Sequence, residues 1–293
     1  MSDSSRDGSA ADTDAEADAG AGVTATVRAG VCRVRAPATW RWLATGSEGG
    51  IQRAPAAYNV TVSDGFDRTD LAAYSRERRR EAGFDAPGPA LLTGVSMRHA
   101  RVAVYGPVTV VATGGLSNPA TLPVGGAESI TPVTDGSAPA TTDGSTPSTT
   151  DGSTSSTTDG STPSTTDESD GPVGTVNLLA ATDRALSAGT LAELLATAAE
   201  AKTATLLRAT GFTGTTSDAV VVGCAPDGEP AAFAGSATAV GAATRVCVRD
   251  ALLASLAARY DGRGNELPDS VADADHGVVT DGTARVFEPE HES

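Results

Sequence analysis

A low-complexity tract in the middle of the chain decides how the rest of it can fold. Residues 127–172 contain four eight-residue units, variants of Thr-Asp-Gly-Ser-Thr-Pro-Ser-Thr, that begin at Thr134, Thr142, Thr150 and Thr158. A repeat this short and polar has no apolar face on which a neighbouring repeat could stack. It therefore predicts a disordered insertion, a recognition or glycosylated segment being the alternative. Loops accept such insertions because closure entropy grows only logarithmically with length.

The two ends of the chain are also poor in apolar side chains. Residues 1–22 are mainly Asp, Ala, Ser and Gly, and residues 263–293 are acidic with few apolar positions. Such segments bury too little surface to offset the conformational entropy lost on folding. We therefore predict one domain over residues 23–262, interrupted by the insertion at 127–172 and flanked by acidic tails at 1–22 and 263–293.

The net charge of −16 comes from these appendages. The tails and the tract hold 22 of the 37 acidic residues but only 3 of the 21 basic ones, which leaves 15 acidic and 18 basic side chains in the predicted domain. The acidity solvates the appendages and says little about a ligand. An excess of acidic residues is also typical of proteins from halophilic organisms, which live in high salt.

The sequence predicts a soluble cytoplasmic protein. The N-terminus is acidic and has no apolar run of a secretory signal, and no stretch approaches the ~20 apolar residues of a membrane helix. Cys32, Cys224 and Cys247 are odd in number and lack metal-ligand spacing, which favours reduced core thiols. We expect neither a nucleic-acid nor a membrane partner, and the oligomeric state stays open.

The half of the domain before the tract is strand-rich. Apolar alternation or β-branched runs predict strands at 23–27, 57–62, 100–105 and 108–113. The last two flank Gly106-Pro107 and should form a hairpin. Between the strands at 57–62 and 100–105, the pattern predicts a helix over 70–82, capped by Thr69 and ended by Gly83.

The half after the tract contains two long helices. Its predicted elements are a strand at 173–181, a helix at 191–210, strands at 219–224 and 231–236, and a helix at 239–260. Thr190 and Glu193 have the spacing of a capping box, and Gly211 suits a C-terminal cap. Strand pairs adjacent in sequence, with helices appended, indicate an α+β fold in a single layered domain. The order of the strands in the sheet is not predicted.

Several common kinds of site are excluded by the residues present. Lys202 is the only lysine and does not follow a P-loop glycine pattern, and no G-x-G-x-x-G follows a strand. His99 is the one histidine in the predicted domain, and neither H-E-x-x-H nor G-x-S-x-G occurs. We therefore predict no metal site and no bound cofactor.

Lys202 falls on the apolar face of the predicted 191–210 helix. At 100° per residue its direction lies within roughly 50° of that of Leu191, whereas Glu200 points to the opposite face. The lysine stem could snorkel to solvent. Alternatively, its nitrogen could line a pocket and either polarise a carbonyl group or act as a base. Glu200 is expected to be solvated unless another layer covers its face.

A hydroxyl-rich turn at 213–218 leads into an apolar strand. It is either ordinary turn chemistry or a place where a hydroxyl nucleophile lies beside Asp218. Three asparagines, Asn59, Asn118 and Asn177, fall in or beside predicted strands. Their amides would suit a ligand rich in carboxamides, although each could equally cap a turn.

Six short blocks, in this order along the chain, resemble the adenosylcobinamide amidohydrolase family, an archaeal-type corrinoid salvage enzyme. The blocks are Ala56–Val60, Leu92–Val95, Thr113–Asn118, Gly174–Asn177, Glu200–Thr203 and Gly214–Asp218. The last block usually reads Gly-Thr-x-Thr-Asp in the family, whereas this chain has Ser217 before Asp218, so the hydroxyl that matters is left open. The repeat tract has no counterpart in the family pattern.

The resemblance implies hydrolysis of the amide that joins a corrin side chain to 1-amino-2-propanol, giving adenosylcobyric acid for cobalamin salvage. The substrate would be a small-molecule corrinoid, whose cobalt is not an enzyme cofactor. The candidate catalytic residues are Lys202, Asp218, Thr216, Ser217 and Glu200, and the candidate substrate-binding residues are Asn59, Asn118, Asn177 and Thr215. Lys202 would polarise the carbonyl or act as base, and Asp218 would orient it or activate water. A corrinoid-binding module without catalysis, or an amidohydrolase acting on a different amide, is the alternative.

Overall fold

The structure is a computed structural model that describes residues 17–19, 21–46, 49–63, 65–124, 174–262, 266–274 and 276–289. The described residues up to 123 and from 174 onward belong to one compact unit. The repeat tract, for which we predict an insertion, lies outside the described residues. Within them, every helix is too short or too polar to cross a membrane.

The described residues form fourteen strands and three α-helices. The strands are β1 (Ala17–Ala19), β2 (Val23–Arg28), β3 (Val31–Ala44), β4 (Gly50–Thr61), β5 (Ala90–Thr93), β6 (Arg101–Tyr105), β7 (Val108–Gly114), β8 (Pro119–Thr121), β9 (Val176–Thr182), β10 (Ala185–Leu186), β11 (Gly214–Thr215), β12 (Ala219–Cys224), β13 (Pro230–Ala231) and β14 (Val278–Val279). The helices are α1 (Leu71–Glu81), α2 (Ala188–Thr210) and α3 (Ala239–Arg259). Short 3-10 turns lie at Met97–His99 and Val271–Asp273. The strand-rich first half and the two long C-terminal helices are thus confirmed.

The large sheet is mixed, with the strand order β1-β2-β3-β12-β9-β7-β6 and with β4 pairing to both β3 and β5. The predicted β6–β7 hairpin is present and antiparallel. Strand β12 pairs in parallel with β9, so that β9, α2 and β12 make one β-α-β crossover inside the predicted α+β arrangement. Strand β12 pairs with β3 and β9 and does not form a hairpin with the predicted strand at 231–236. Of that stretch only Ala231 is in a strand, as the second residue of β13, which pairs with β10.

Three apolar cores separate the layers of the domain. Helices α2 and α3 cover one face of β7, β9 and β12, and residues such as Leu178, Leu194 and Leu252 are fully buried there. A register shift between Arg35 and Trp40 interrupts the β3–β4 ladder. A second core, between the other face of β7, β9 and β12 and strands β2 to β5, contains both tryptophans. The third core packs α1 against β3 and β4.

The helix boundaries agree with the predicted ones to within one residue except at the start of α2, and two predicted caps are wrong. Gly83 and Gly211 have positive φ and end α1 and α2 as expected. Helix α2 begins three residues earlier than predicted, because the Ser187 side chain accepts a hydrogen bond from the Thr190 N–H and forms the N-cap. The predicted capping box at Thr190 is therefore wrong. The N-cap of α1 is Asp70, not Thr69, and makes no side-chain capping bond.

Ordered structure extends on both sides of the predicted 23–262 boundaries. Strand β1 pairs antiparallel with β2 inside the segment predicted as an N-terminal tail. On the other side, β14 pairs in parallel with β8 inside the predicted C-terminal tail. Both pairings are backbone ladders, which need few apolar side chains and are therefore invisible to an argument from composition.

Candidate active site

Three loops meet at one edge of the large sheet. Strand β7 ends at Gly114 opposite Val176, where β9 begins, and Asn177 lies beside Ala219, the first residue of β12. The residues just outside these strands therefore lie close together, and the Gly115 N–H donates to the Thr175 carbonyl at 3.1 Å. Three of the six blocks singled out in the sequence thus converge at this edge.

A small second sheet joins the loop after β7 to the loop before β12. Strand β8 pairs antiparallel with β11, so that Pro119 lies opposite Thr215. One position further out, the Thr216 N–H donates to the Asn118 carbonyl at 3.2 Å, and the Asn118 side-chain amide donates to the Thr216 hydroxyl. Asn118 and Thr216 are therefore held side by side at the open end of this ladder.

Lys202 and Asp218 form a buried ion pair beneath these loops. The Lys202 Nζ donates to Asp218 Oδ2, and only 10% and 12% of the two side chains are exposed. Lys202 comes from the buried face of α2, as the helical pattern predicts, and Asp218 from the turn before β12. The lysine therefore does not simply snorkel to solvent: it has reached a partner.

The Asp218 carboxylate accepts hydrogen bonds from four donors. Oδ1 accepts from the Val176 N–H at 3.0 Å and from the Thr215 hydroxyl. Oδ2 accepts from the Thr215 N–H at 3.2 Å and from Lys202. An ionised carboxylate offers about four acceptor positions. Because all of them are engaged, this arrangement suits a group that orients Lys202 better than one that takes a proton from water.

Gly214 makes room for the ion pair. A Cβ atom at this position would lie 2.7 Å from Asp218 Oδ2 and 3.3 Å from Lys202 Nζ. The first distance is shorter than real Cβ contacts, so any side chain here would displace the carboxylate. The need for glycine in the Gly214–Asp218 block is therefore steric, and it was not foreseen from the sequence.

Two exposed hydroxyl residues directly precede Asp218 in the chain. Thr216 and Ser217 are exposed, whereas Thr215 is buried with its hydroxyl directed at Asp218. The Ser217 Oγ lies 3.0 Å from the Thr175 Oγ1, and Thr175 is only 2% exposed. Thr175 is a further polar residue of the cluster that sequence reasoning missed, although it lies within the Gly174–Asn177 block.

Asn59 and Asn177 lie in a buried network on the other face of the sheet. The Asn177 amide donates to Asn59 Oδ1 and to the Leu92 carbonyl, both at 2.9 Å, and the Asn59 amide donates to the Thr113 hydroxyl at 2.9 Å. Both asparagines are fully buried. The structure therefore gives both NH2 groups and Asn59 Oδ1 protein partners, whereas Asn177 Oδ1 is buried without a partner among the described residues.

Glu200 is not brought to the cluster. Its side chain is 68% exposed, with one carboxylate oxygen 3.7 Å from Arg245 of α3. The physical reason is the helical period, which turns residues 200 and 202 to different faces of α2. A cavity of about 480 Å³ lies on that side, between α2 and α3, and is lined by Arg208, Arg245 and Arg249 among others. It does not include Lys202 or Asp218.

The cysteines are poor candidates for the nucleophile. Cys32, Cys224 and Cys247 are all free and buried. Burial raises the pKa of the Cys32 thiol to about 12 and that of Cys247 to about 11, and it also raises the pKa of Cys224. The thiolate is the reactive form, so these groups are inert near neutral pH. Among the residues described, no three His, Cys, Asp or Glu side chains group together as metal ligands.

A buried ammonium group held by a carboxylate, with exposed hydroxyl groups on the same turn, is an arrangement compatible with an enzyme that adds a nucleophile to a carbonyl carbon. Comparison of the chain with known proteins agrees with this class. Residues 14–264 match the model of the adenosylcobinamide amidohydrolase family. The chain is also 47% identical over 267 residues to the adenosylcobinamide amidohydrolase of Halobacterium salinarum, an alignment that covers 90% of this chain and 98% of that protein. The chain therefore belongs to the adenosylcobinamide amidohydrolase family and is a hydrolase that acts on an amide bond.

Proposed function

We propose that this chain hydrolyses the aminopropanol amide of adenosylcobinamide, with adenosylcobyric acid and 1-amino-2-propanol as products. The family match and the name of the Halobacterium salinarum relative support this substrate. The observation that carries a catalytic role, as opposed to corrinoid binding alone, is the buried Lys202–Asp218 pair at the loop edge of the sheet. A binding module would not need an ion pair whose burial costs desolvation free energy.

Lys202 is proposed to stabilise the oxyanion that forms during the reaction. An ammonium group has three N–H donors, of which Asp218 takes one. The two remaining N–H groups can donate to a carbonyl oxygen as negative charge develops on it. Because Asp218 fixes the nitrogen in advance, little reorganisation is needed in the transition state. Asp218 is then a positioning residue, a role that its four occupied acceptor positions support.

The proposed nucleophile is an oxygen at the exposed rim, either the hydroxyl of Thr216 or Ser217 or a water molecule that they hold. With a hydroxyl, the oxygen bonds to the amide carbon, the C–N bond breaks, and the hydroxyl proton ends on the departing amine. Water then hydrolyses the ester and restores the hydroxyl. With water as nucleophile, the acid forms in one addition and one expulsion, and the amine again gains the proton. Replacing Ser217 and Thr216 separately by alanine distinguishes the routes, because only the nucleophile's loss abolishes turnover.

Asn118 is proposed to accept a hydrogen bond from the N–H of the scissile amide. Its side chain is 2% exposed, and its Oδ1 atom has no hydrogen-bond partner among the described residues, although its amide nitrogen is bound to Thr216. A buried acceptor without a partner is costly. A substrate N–H arriving beside Thr216 would supply the missing bond and orient the carbonyl towards Lys202.

The test is direct assay of the purified full chain with adenosylcobinamide in high salt, measuring free 1-amino-2-propanol. We expect release of the amino alcohol and formation of adenosylcobyric acid in equal amounts, without added metal. Corrinoid binding without release would support the alternative of a binding module, and release from unrelated amides alone would support a different substrate.

A cytoplasmic location also stays a prediction, consistent with the three free thiols.

A further inference from the structure

We propose that strand β14 is a positioning element of the active site, because it completes the small sheet that holds the two catalytic loops. The strand consists of Val278–Val279, whereas the family match ends at residue 264. It lies in the acidic segment that composition alone assigns to a tail. The inference rests on the proposed function, and its test is designed to be read separately from that function.

The geometry of the small sheet carries the proposal. Its strand order is β11-β8-β14, so β8 is the central strand. Ala120 of β8 pairs with Gly214 on one side and with Val278 on the other. The Thr280 N–H continues this ladder by donating to the Thr121 carbonyl at 3.0 Å. Gly214, at the far side of the sheet, is the residue against which the Lys202–Asp218 pair packs.

Without β14, the sheet would be a ladder of two residue pairs. Two-stranded ribbons are marginally stable in water, and three strands are usually needed for an independent sheet. The remaining β8–β11 ladder would have to hold Asn118 and Thr216 side by side at its open end. Small shifts of this end would move the proposed amide acceptor relative to Lys202, and catalysis is sensitive to displacements on the order of 1 Å.

Backbone and packing contacts tie the segment that carries β14 to the rest of the domain, although the Val278 and Val279 side chains are 44% and 50% exposed. Val271 packs against the main apolar core, and the chain then turns so that Gly277 lies on Val271. A Cβ at Gly277 would be 2.4 Å from the Val271 carbonyl oxygen. Beyond Thr280, residues 281–289 are exposed like β14 but, unlike β14, belong to no strand. The structural contribution of the C-terminal segment therefore ends near residue 280.

The main experiment removes one backbone donor in the full chain. Thr280→Pro deletes the N–H that binds Thr121, Thr280→Ala changes the side chain but keeps that N–H, and Thr283→Pro places proline in the exposed end. We expect Thr280→Pro to lower kcat at least ~5-fold with an unchanged melting temperature of the main domain. Both control variants should keep wild-type kcat. Activity of Thr280→Pro equal to that of Thr283→Pro would overturn the proposal.

A second measurement does not depend on activity. Hydrogen exchange of the amides at 118–121 and 213–217 should accelerate in Thr280→Pro and in a chain ending at residue 265, but not in a chain ending at residue 282. Unchanged exchange in Thr280→Pro and in the chain ending at residue 265 would also refute the role of β14. If the wild-type chain releases no aminopropanol while exchange responds as expected, the proposed function fails and the positioning role of β14 stands.

Discussion

Replacing Gly214 with alanine tests the link between the ion pair and the chemistry. The added Cβ would lie 2.7 Å from Asp218 Oδ2, and ordinary van der Waals contact begins near 3.4 Å. The carboxylate must therefore move by about 0.7 Å, and Lys202 with it, since Cβ would also come within 3.3 Å of Nζ. Both atoms are the ends of side chains, so the backbone need not shift.

The expected magnitude follows from these displacements. A misplacement of about 1 Å can cost on the order of 100-fold in rate, so we expect kcat to fall about 10- to 100-fold. Stability should change by less than about 1 kcal/mol, because alanine also lowers the entropy of the unfolded chain and Gly214 does not have a positive φ. A large loss of activity without a matching loss of stability is therefore the signature of the variant.

The assay compares aminopropanol release and thermal unfolding for Gly214→Ala and for Gly189→Ala as matched control. Gly189 lies in the first turn of α2, and the nearest atom to its added Cβ is Ser187 Oγ at 3.8 Å. The control should keep full activity and be stabilised by up to about 1 kcal/mol. Wild-type kcat in Gly214→Ala would refute the idea that the position of the Lys202–Asp218 pair controls catalysis.

Four further outcomes are expected. Lys202→Met should lower kcat at least ~100-fold, about 2.7 kcal/mol of transition-state stabilisation, whereas Glu200→Gln, at the exposed face of α2, should stay within about two-fold in the same assay. Asp218→Asn should reduce kcat less than Lys202→Met, because it loosens the ammonium without removing it; equal losses would argue for a direct role of the carboxylate. Cys32 should resist alkylation at pH 8 in the folded protein, since burial raises its pKa to about 12, and should react after unfolding, as mass spectrometry would report. Deletion of residues 132–168 should leave the melting temperature and kcat nearly unchanged, because the tract offers no apolar surface; a lost melting transition would contradict this.

Local signals in the sequence predicted the elements well and their pairing poorly. Strand 219–224 is observed at the predicted residues, because an apolar run between turn residues needs no tertiary information. The strand expected at 231–236 is absent beyond Ala231, and Ala231 pairs with Leu186 of β10, 45 positions earlier, and not with β12. The sheet order was unpredictable for the same reason, since β12 pairs with both β3 and β9.

The sequence predicted several residues that the structure brings together, but not the contacts between them. The helical period placed Lys202 on the buried face of α2 and Glu200 on the other, and both placements agree with the structure. The contact between Lys202 and Asp218 joins the interior of a helix to a turn, which no periodic pattern encodes. Thr175 and Gly214 were missed because their roles are a hydroxyl contact and a missing Cβ, and both depend on where other segments arrive.

The energetics of the Lys202–Asp218 pair favour a chemical role over a structural one. The helix that carries Lys202 already buries Leu191, Leu194 and Leu206, so its packing does not depend on an ion pair. Two charges lose hydration when they are buried, and apolar replacements of such pairs are often neutral or stabilising. A chain selected for stability alone would gain little from this lysine. In the proposed reaction, by contrast, a fixed ammonium group would stabilise the negative charge that develops on the carbonyl oxygen. Under the proposed function, the stability that the pair forgoes is the expected cost of a preorganised site.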